Sequence, residues 1–178
     1  MTTPLDVHEA IARRRSIRHY DARPVPAELI EQLAAVALMA PTSRNLQSWH
    51  FAFTDDPQAL TALSKAKASW AEPIGRAPLA VAVCGNEFVS DCWIEDASIA
   101  AAFLQLAATE LGLGSCWIQM RERHDDQGRA AEDNVRQTLD LPDNLRVLCV
   151  LAIGFPAEDK PAHATDGLAW DKVTMPRA

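Results

Sequence analysis

Long apolar runs are missing from this 178-residue chain: its most apolar stretch, residues 99–111, is broken by Gln105, Thr109 and Glu110. A bilayer needs about 18 uninterrupted apolar residues, so no membrane-spanning helix is expected. Basic charge is scarce as well, with 17 Lys and Arg against 24 Asp and Glu and a net charge of −7. That balance argues against general binding to nucleic acid or to an anionic membrane, both of which depend on surplus cations. The four cysteines, Cys84, Cys92, Cys116 and Cys149, form no C-x-x-C and have no neighbouring histidine to complete a zinc spacing. No metal site is expected from them, and those in apolar runs read as small buried hydrophobes. The first residues, MTTPLDVHEA, have neither a secretory nor a transit pattern, so a reducing cytoplasm is the expected location.

Standard catalytic signatures are also absent. The chain contains no G-x-S-x-G, H-E-x-x-H or G-x-G-x-x-G and no G-K-[ST], and its five histidines are scattered. An enzyme with this inventory would have no catalytic side chain of its own and would rely on a cofactor for the chemistry.

What the sequence does contain is an ordinary apolar content, 48%, spread along the whole chain, which suits one α+β domain over residues 1–178. A first helix is expected with Thr3 as N-cap, Pro4 in its first turn and Leu5, His8, Ile11 and Ala12 on one face, fraying near Arg14. Apolar spacing predicts helices over 27–39, 58–67, 95–111 and 134–139, and strands over 49–54, 79–84, 115–120 and 147–153. The continuous apolar run VLCVLAI marks a central strand covered on both faces. These elements compose a small mixed sheet packed among helices. The helix over 95–111 is apolar on nearly all sides, so it must be buried within its own fold or by a second subunit.

Three segments have the composition of a binding site. Residues 13–18, Arg13-Arg14-Arg15-Ser16-Ile17-Arg18, concentrate cations in an acidic chain. Guanidinium forks and a hydroxyl suit a phosphate, although cations also stabilise an ordinary helix C-terminus. Ile17 interrupts the polar run and is expected to turn into the core. The loop Pro41-Thr42-Ser43-Arg44-Asn45-Leu46-Gln47 offers amides that match the edge of a heterocycle, or a simple turn. Gly112 and Gly114 leave a helix for a strand, allowing close backbone approach or simply capping the helix. Glu95 and Asp96 read as helix N-terminal acids.

Four motifs in this order, R-R-S-I-R-H-Y, A-P-T-S-R-N-L-Q-S-W-H-F, E-L-G-L-G-S-C-W-I and V-L-A-I-G-F-P-A-E-D-K-P, resemble the nitroreductase family of FMN-dependent oxidoreductases over essentially the whole chain. The closing L-A-W-D-K-V is similar to a short subgroup of it. The resemblance implies a nitroreductase-like α+β fold, an intertwined homodimer with FMN at the subunit interface, and NADH or NADPH as donor to a small-molecule acceptor. It implies that Arg14, Arg15, Ser16 and Arg18 hold the phosphate and ribityl chain. Asn45 and Gln47, flanked by Ser43 and Arg44, would reach the ring and ribityl hydroxyls. It further implies that Trp117, Ile118 and Gln119 lie over the ring, supplied by the other subunit, and that Lys160 stands near the phosphate or ring end. No protein side chain is expected to be catalytic. The chain departs from the family pattern at Ser48, where proline is frequent before Trp49-His50-Phe51, and at Pro161-Ala162-His163, where an arginine is frequent. Its length leaves no room for the helices that cover the active site in longer members, so the substrate face is expected to be open.

Overall fold

The computed structural model describes residues 6–176. Four strands, β1 (Trp49–Thr54), β2 (Leu79–Gly85), β3 (Gly114–Gln119) and β4 (Arg146–Gly154), form one sheet in the order β1-β2-β4-β3. All three pairings between these strands are antiparallel. The expected mixed sheet is therefore antiparallel in its strands, and its parallel component is a single bridge from Ser16 to Ser115. Helices α1 (Val7–Arg13), α2 (Ala27–Leu38), α3 (Pro57–Leu63), α4 (Glu72–Arg76), α5 (Trp93–Glu110) and α6 (Ala131–Thr138) surround it.

Alternation along β2 distributes side chains to two cores. Leu79, Val81 and Val83 pack with Leu33 of α2 and Ala97, Ala101 and Leu104 of α5, while Ala80, Ala82 and Cys84 face Leu63, Ile74 and Val135 on the opposite side. Cover on both faces is why β2 and the interior strand β4 read as unbroken apolar runs despite being antiparallel. Cys84, Cys116 and Cys149 are buried and Cys92 is half-buried; burial raises the Cys84 thiol to about 12 and also lifts Cys149. Such thiols stay protonated and act as packing groups.

Several expected boundaries shift. Thr3, Pro4 and Leu5 lie outside the described residues; α1 starts at Val7, and the Asp6 carboxylate accepts from Glu9 N at 2.8 Å as its N-cap. The helix expected over 58–67 ends at Leu63, and a further short helix, Glu72–Arg76, follows a turn in which Trp70 takes a φ of 64°. The helix expected over 134–139 begins at Ala131. Helix α5 buries one side only: Ile99 and Phe103 remain 39% and 37% exposed and, with Ala102 and Leu106, form an apolar stripe at helical spacing. No helix among the described residues is long and apolar enough to cross a membrane.

Candidate functional site

Segment 14–18 runs along the outer edge of β3. Arg14 ends α1 as its C-cap, Ile17 N donates to Ser115 O at 2.9 Å, and Ile17 is turned into the core as expected, at 8% exposure. The approach is close enough that a Cβ on Gly114 would sit 2.8 Å from the Ile17 side chain, so only glycine fits there. The Tyr20 hydroxyl lies 2.5 Å from Ile17 O and 3.1 Å from Ala152 O, tying the segment to the sheet. Among the described residues the Arg14 guanidinium has no hydrogen-bond or ion-pair partner, and that of Arg18 meets only Ser16 O at 3.3 Å. Guanidiniums without an internal carboxylate partner leave their donor forks free for an anion.

The tail completes this edge. Arg15 donates to Pro161 O, and Lys160 Nζ donates to Ser16 O at 2.5 Å and lies 3.3 Å from Glu158. Lys160 thus lies beside segment 14–18 and is already engaged there. Glu158 lies in the fourth motif with no role implied for it, and its carboxylate accepts from Arg18 N at 2.5 Å and His19 N at 3.3 Å. The Arg18 amide above all, assisted by Lys160, holds this carboxyl down at about 2. Because the folded-state value is depressed, its stabilisation is fully present above the ordinary value of 4.5 and disappears as pH falls towards 2. Urea midpoints of Glu158→Gln and the native protein should therefore differ by a constant amount from pH 7 to 5. The gap should close between about pH 4.5 and 2; a gap independent of pH would show that Glu158 contributes by packing alone.

Trp117 and Gln119 stand on the same edge. Because Ser115 O faces outward to Ile17, strand alternation turns the N–H groups of Trp117 and Gln119 outward too, away from β4. Trp117 Nε1 donates to Gln119 Oε1 at 3.0 Å, which fixes the indole. Ile118 differs from the expectation: it is 2% exposed within the core on the α6 side, and its backbone faces Val150 of β4, so it supports this edge without lining it. Arg18, Cys116, Trp117 and Gln119 line a cleft of about 750 Å³ that Lys67, Trp70 and Arg76 also line.

The loop preceding β1 is built by different contacts. Ser43–Asn45 forms a 3₁₀ turn, and Arg44, Asn45 and Gln47 all have left-handed backbones, with φ of 51°, 55° and 49°. Left-handed non-glycine residues are strained and need surroundings that impose the conformation. The buried Asp96 supplies much of it: Oδ1 accepts from Ser43 N at 2.8 Å, and Oδ2 accepts from Ser48 Oγ at 3.1 Å, with Ser90 Oγ at 3.5 Å. Gln47 N donates to Thr42 Oγ1 at 3.0 Å, and Arg44 pairs with Asp91 at 2.8 Å on the surface. Asp96 thus organises the loop as well as acidifying the first turn of α5. Ser48, where proline was the familiar residue, is part of this network. The Asn45 and Gln47 amides are exposed and make no side-chain hydrogen bond among the described residues.

These two constellations do not meet within one chain. Ser115 is in register with Ile153 and through it with Leu79, whereas β1 begins at Trp49 opposite Gly85. Six residues along the sheet and three strand spacings across it separate the corners by roughly 25 Å. Helix α5 gives the same separation: the loop is attached near its start, segment 14–18 lies near its end, and its 18 residues span about 27 Å. Within one chain Trp117 and Gln119 share the cleft of Arg18, and the loop of Asn45 and Gln47 lies at the other corner.

Comparison with known proteins agrees with this architecture. The model of the nitroreductase family matches residues 11–91 and 74–155. A candidate NADH dehydrogenase/NAD(P)H nitroreductase of Archaeoglobus fulgidus is 33% identical over 160 residues, covering 88% of each chain. A solved FMN-dependent nitroreductase from Clostridium difficile is 38% identical with a TM-score of 0.91, over 95% of this chain and 98% of that one. The 5,6-dimethylbenzimidazole synthase of Rhodospirillum rubrum is 26% identical over 188 residues, covering 88% of this chain and 85% of its own. With its family motifs distributed over the segment after α1, the loop before β1, β3, and the end of β4 with the tail that follows it, the chain belongs to the nitroreductase family.

Proposed function

We propose that the protein is an FMN-dependent oxidoreductase that takes reducing equivalents from NADH or NADPH and passes them to electron-poor acceptors such as nitroaromatics and quinones, in double-displacement turnover. The observation that carries this reading is the edge of β3, where the Arg14 and Arg18 guanidiniums lack counter-charges and the Trp117 and Gln119 amides point outward. The residues present fit FMN. Arg14, Arg15 and Ser16 would hold its phosphate, with Lys160 bracing the Ser16 carbonyl, and Arg18 and the outward amides of β3 would meet the ribityl and ring polar atoms. When bound, FMN supplies the centre that accepts and donates hydride; the protein supplies position and fixed donors.

The separation of the two corners supports a homodimeric site. The exposed stripe of Ile99, Ala102, Phe103 and Leu106 is a self-complementary surface, flanked by the exposed Val7 and Ile11 of α1. A two-fold pairing of α5 with its copy in antiparallel orientation sets the start of one helix beside the end of the other. The loop with Ser43, Arg44, Asn45 and Gln47 would then reach the Arg14–Arg18 edge of the partner. The purified protein is expected to be a yellow dimer, bleached by NADH or NADPH and reoxidised by a nitroaromatic. A colourless protein that FMN does not stabilise against heat would overturn the reading, and bleaching by dithionite alone would favour a flavin protein with another donor or little turnover.

A further inference from the structure

Beyond Arg18, the cleft beside β3 has a wall that the proposed cofactor contacts leave unused. Lys67 and Arg76 both line it, and neither forms an ion pair among the described residues. Arg76 lies 3.5 Å from His19 Nε2, at the limit of a hydrogen bond. Lys67 is half-buried, and Arg123 adds a second positive charge near it, so its ammonium is both desolvated and repelled. The one carboxylate in the lining is Glu72, which is exposed, forms no ion pair with either cation and offsets the charge near Lys67 only in part. In a chain of net charge −7, the lining keeps a local excess of positive charge.

The same wall presents an indole in an unusual way. Trp70 is 78% exposed, and its φ of 64° is a conformation that a bulky residue seldom adopts. An exposed aromatic held in a strained backbone beside two cations matches the demands of a flat ligand with a negative substituent. We infer that Lys67, Arg76 and Trp70 form an acceptor subsite selecting aromatic substrates that carry an anionic group, a carboxylate or sulfonate, remote from the group that is reduced. This subsite rests on the oxidoreductase reading for the reaction but not for binding.

The experiment compares 4-nitrobenzoate with 4-nitrobenzamide, matched in shape and different in charge. The native protein should favour the benzoate in kcat/KM by about threefold to tenfold at low salt, shrinking in about 0.3 M sodium chloride. Lys67→Met with Arg76→Met should abolish the preference while keeping the flavin content and the rate with the benzamide. Glu72→Gln should enlarge it. Equal rates for the two acceptors in the native protein would overturn the proposal. Loss of flavin from the double variant would overturn it too, by assigning these cations to the cofactor. Should the protein hold no flavin, quenching of tryptophan fluorescence decides independently: saturable quenching by benzoate, weaker with benzamide and lost in the double variant, supports the subsite, and indifference to charge rejects it.

Discussion

Asp96→Ala is expected to destabilise the protein by about 3 kcal/mol or more, because it strips acceptors from three donors at once. Ser43 N, Ser48 Oγ and Ser90 Oγ all converge on this carboxylate, and Ser48 and Ser90 are 4% and 2% exposed, so water cannot readily replace it. A loss of that size is a large share of the roughly 5–15 kcal/mol that holds a domain of this kind folded. The cost should fall on function as well, since the same contacts impose the left-handed turn that presents Asn45 and Gln47. Asp96→Asn should restore most of the stability: its carbonyl can accept from Ser43, and its amide can donate to the serine hydroxyls. Urea denaturation of both variants, alongside FMN titration, tests this. An alanine variant within 1 kcal/mol of the native protein would show that the loop is held by its own turn chemistry.

Arg18→Ala should weaken FMN by roughly ten- to a hundredfold, the equivalent of one charge-assisted contact worth about 1.5–3 kcal/mol. Arg18 lines the cleft with Trp117 and Gln119, and its guanidinium has no carboxylate partner among the described residues. Its truncation therefore removes attraction for the ligand without breaking an internal ion pair, and thermal stability of the apoprotein should change little. Its backbone N–H remains available to Glu158, which keeps segment 14–18 in place. Fluorescence titration of the apoprotein with FMN reads the affinity directly. Native-like affinity in the variant would remove Arg18 from the site and leave the ribityl and ring atoms to the outward amides of β3.

Elements with a strong repeating pattern were legible in the sequence. The aromatic alternation of WHFAFT located β1 to the residue, and the i, i+3, i+4 spacing of Leu29, Ile30, Leu33 and Ala37 located α2 within one position. The division of α3 from α4 was not legible, because Lys65, Ala66, Lys67 and Ala68 are good helix formers, yet the helix already stops at Leu63. Asp96 and Glu158 were missed as organising residues for a different reason. A single acid has no periodicity, and its importance arises from donors brought to it by residues far away in the chain.

The sequence by itself determined an α+β domain, a cationic segment unusual for an acidic chain, and the motifs that resemble the nitroreductase family. Composition and periodicity are local properties, and local rules suffice to read them. Only the tertiary structure decided which motifs lie together. The strand order β1-β2-β4-β3 and the rigid length of α5 put the Arg14–Arg18 edge together with Trp117 and Gln119, and the loop of Asn45 and Gln47 at the opposite corner. Distance along the chain carries no information about distance across a sheet, which is set by register and by the helix that spans it.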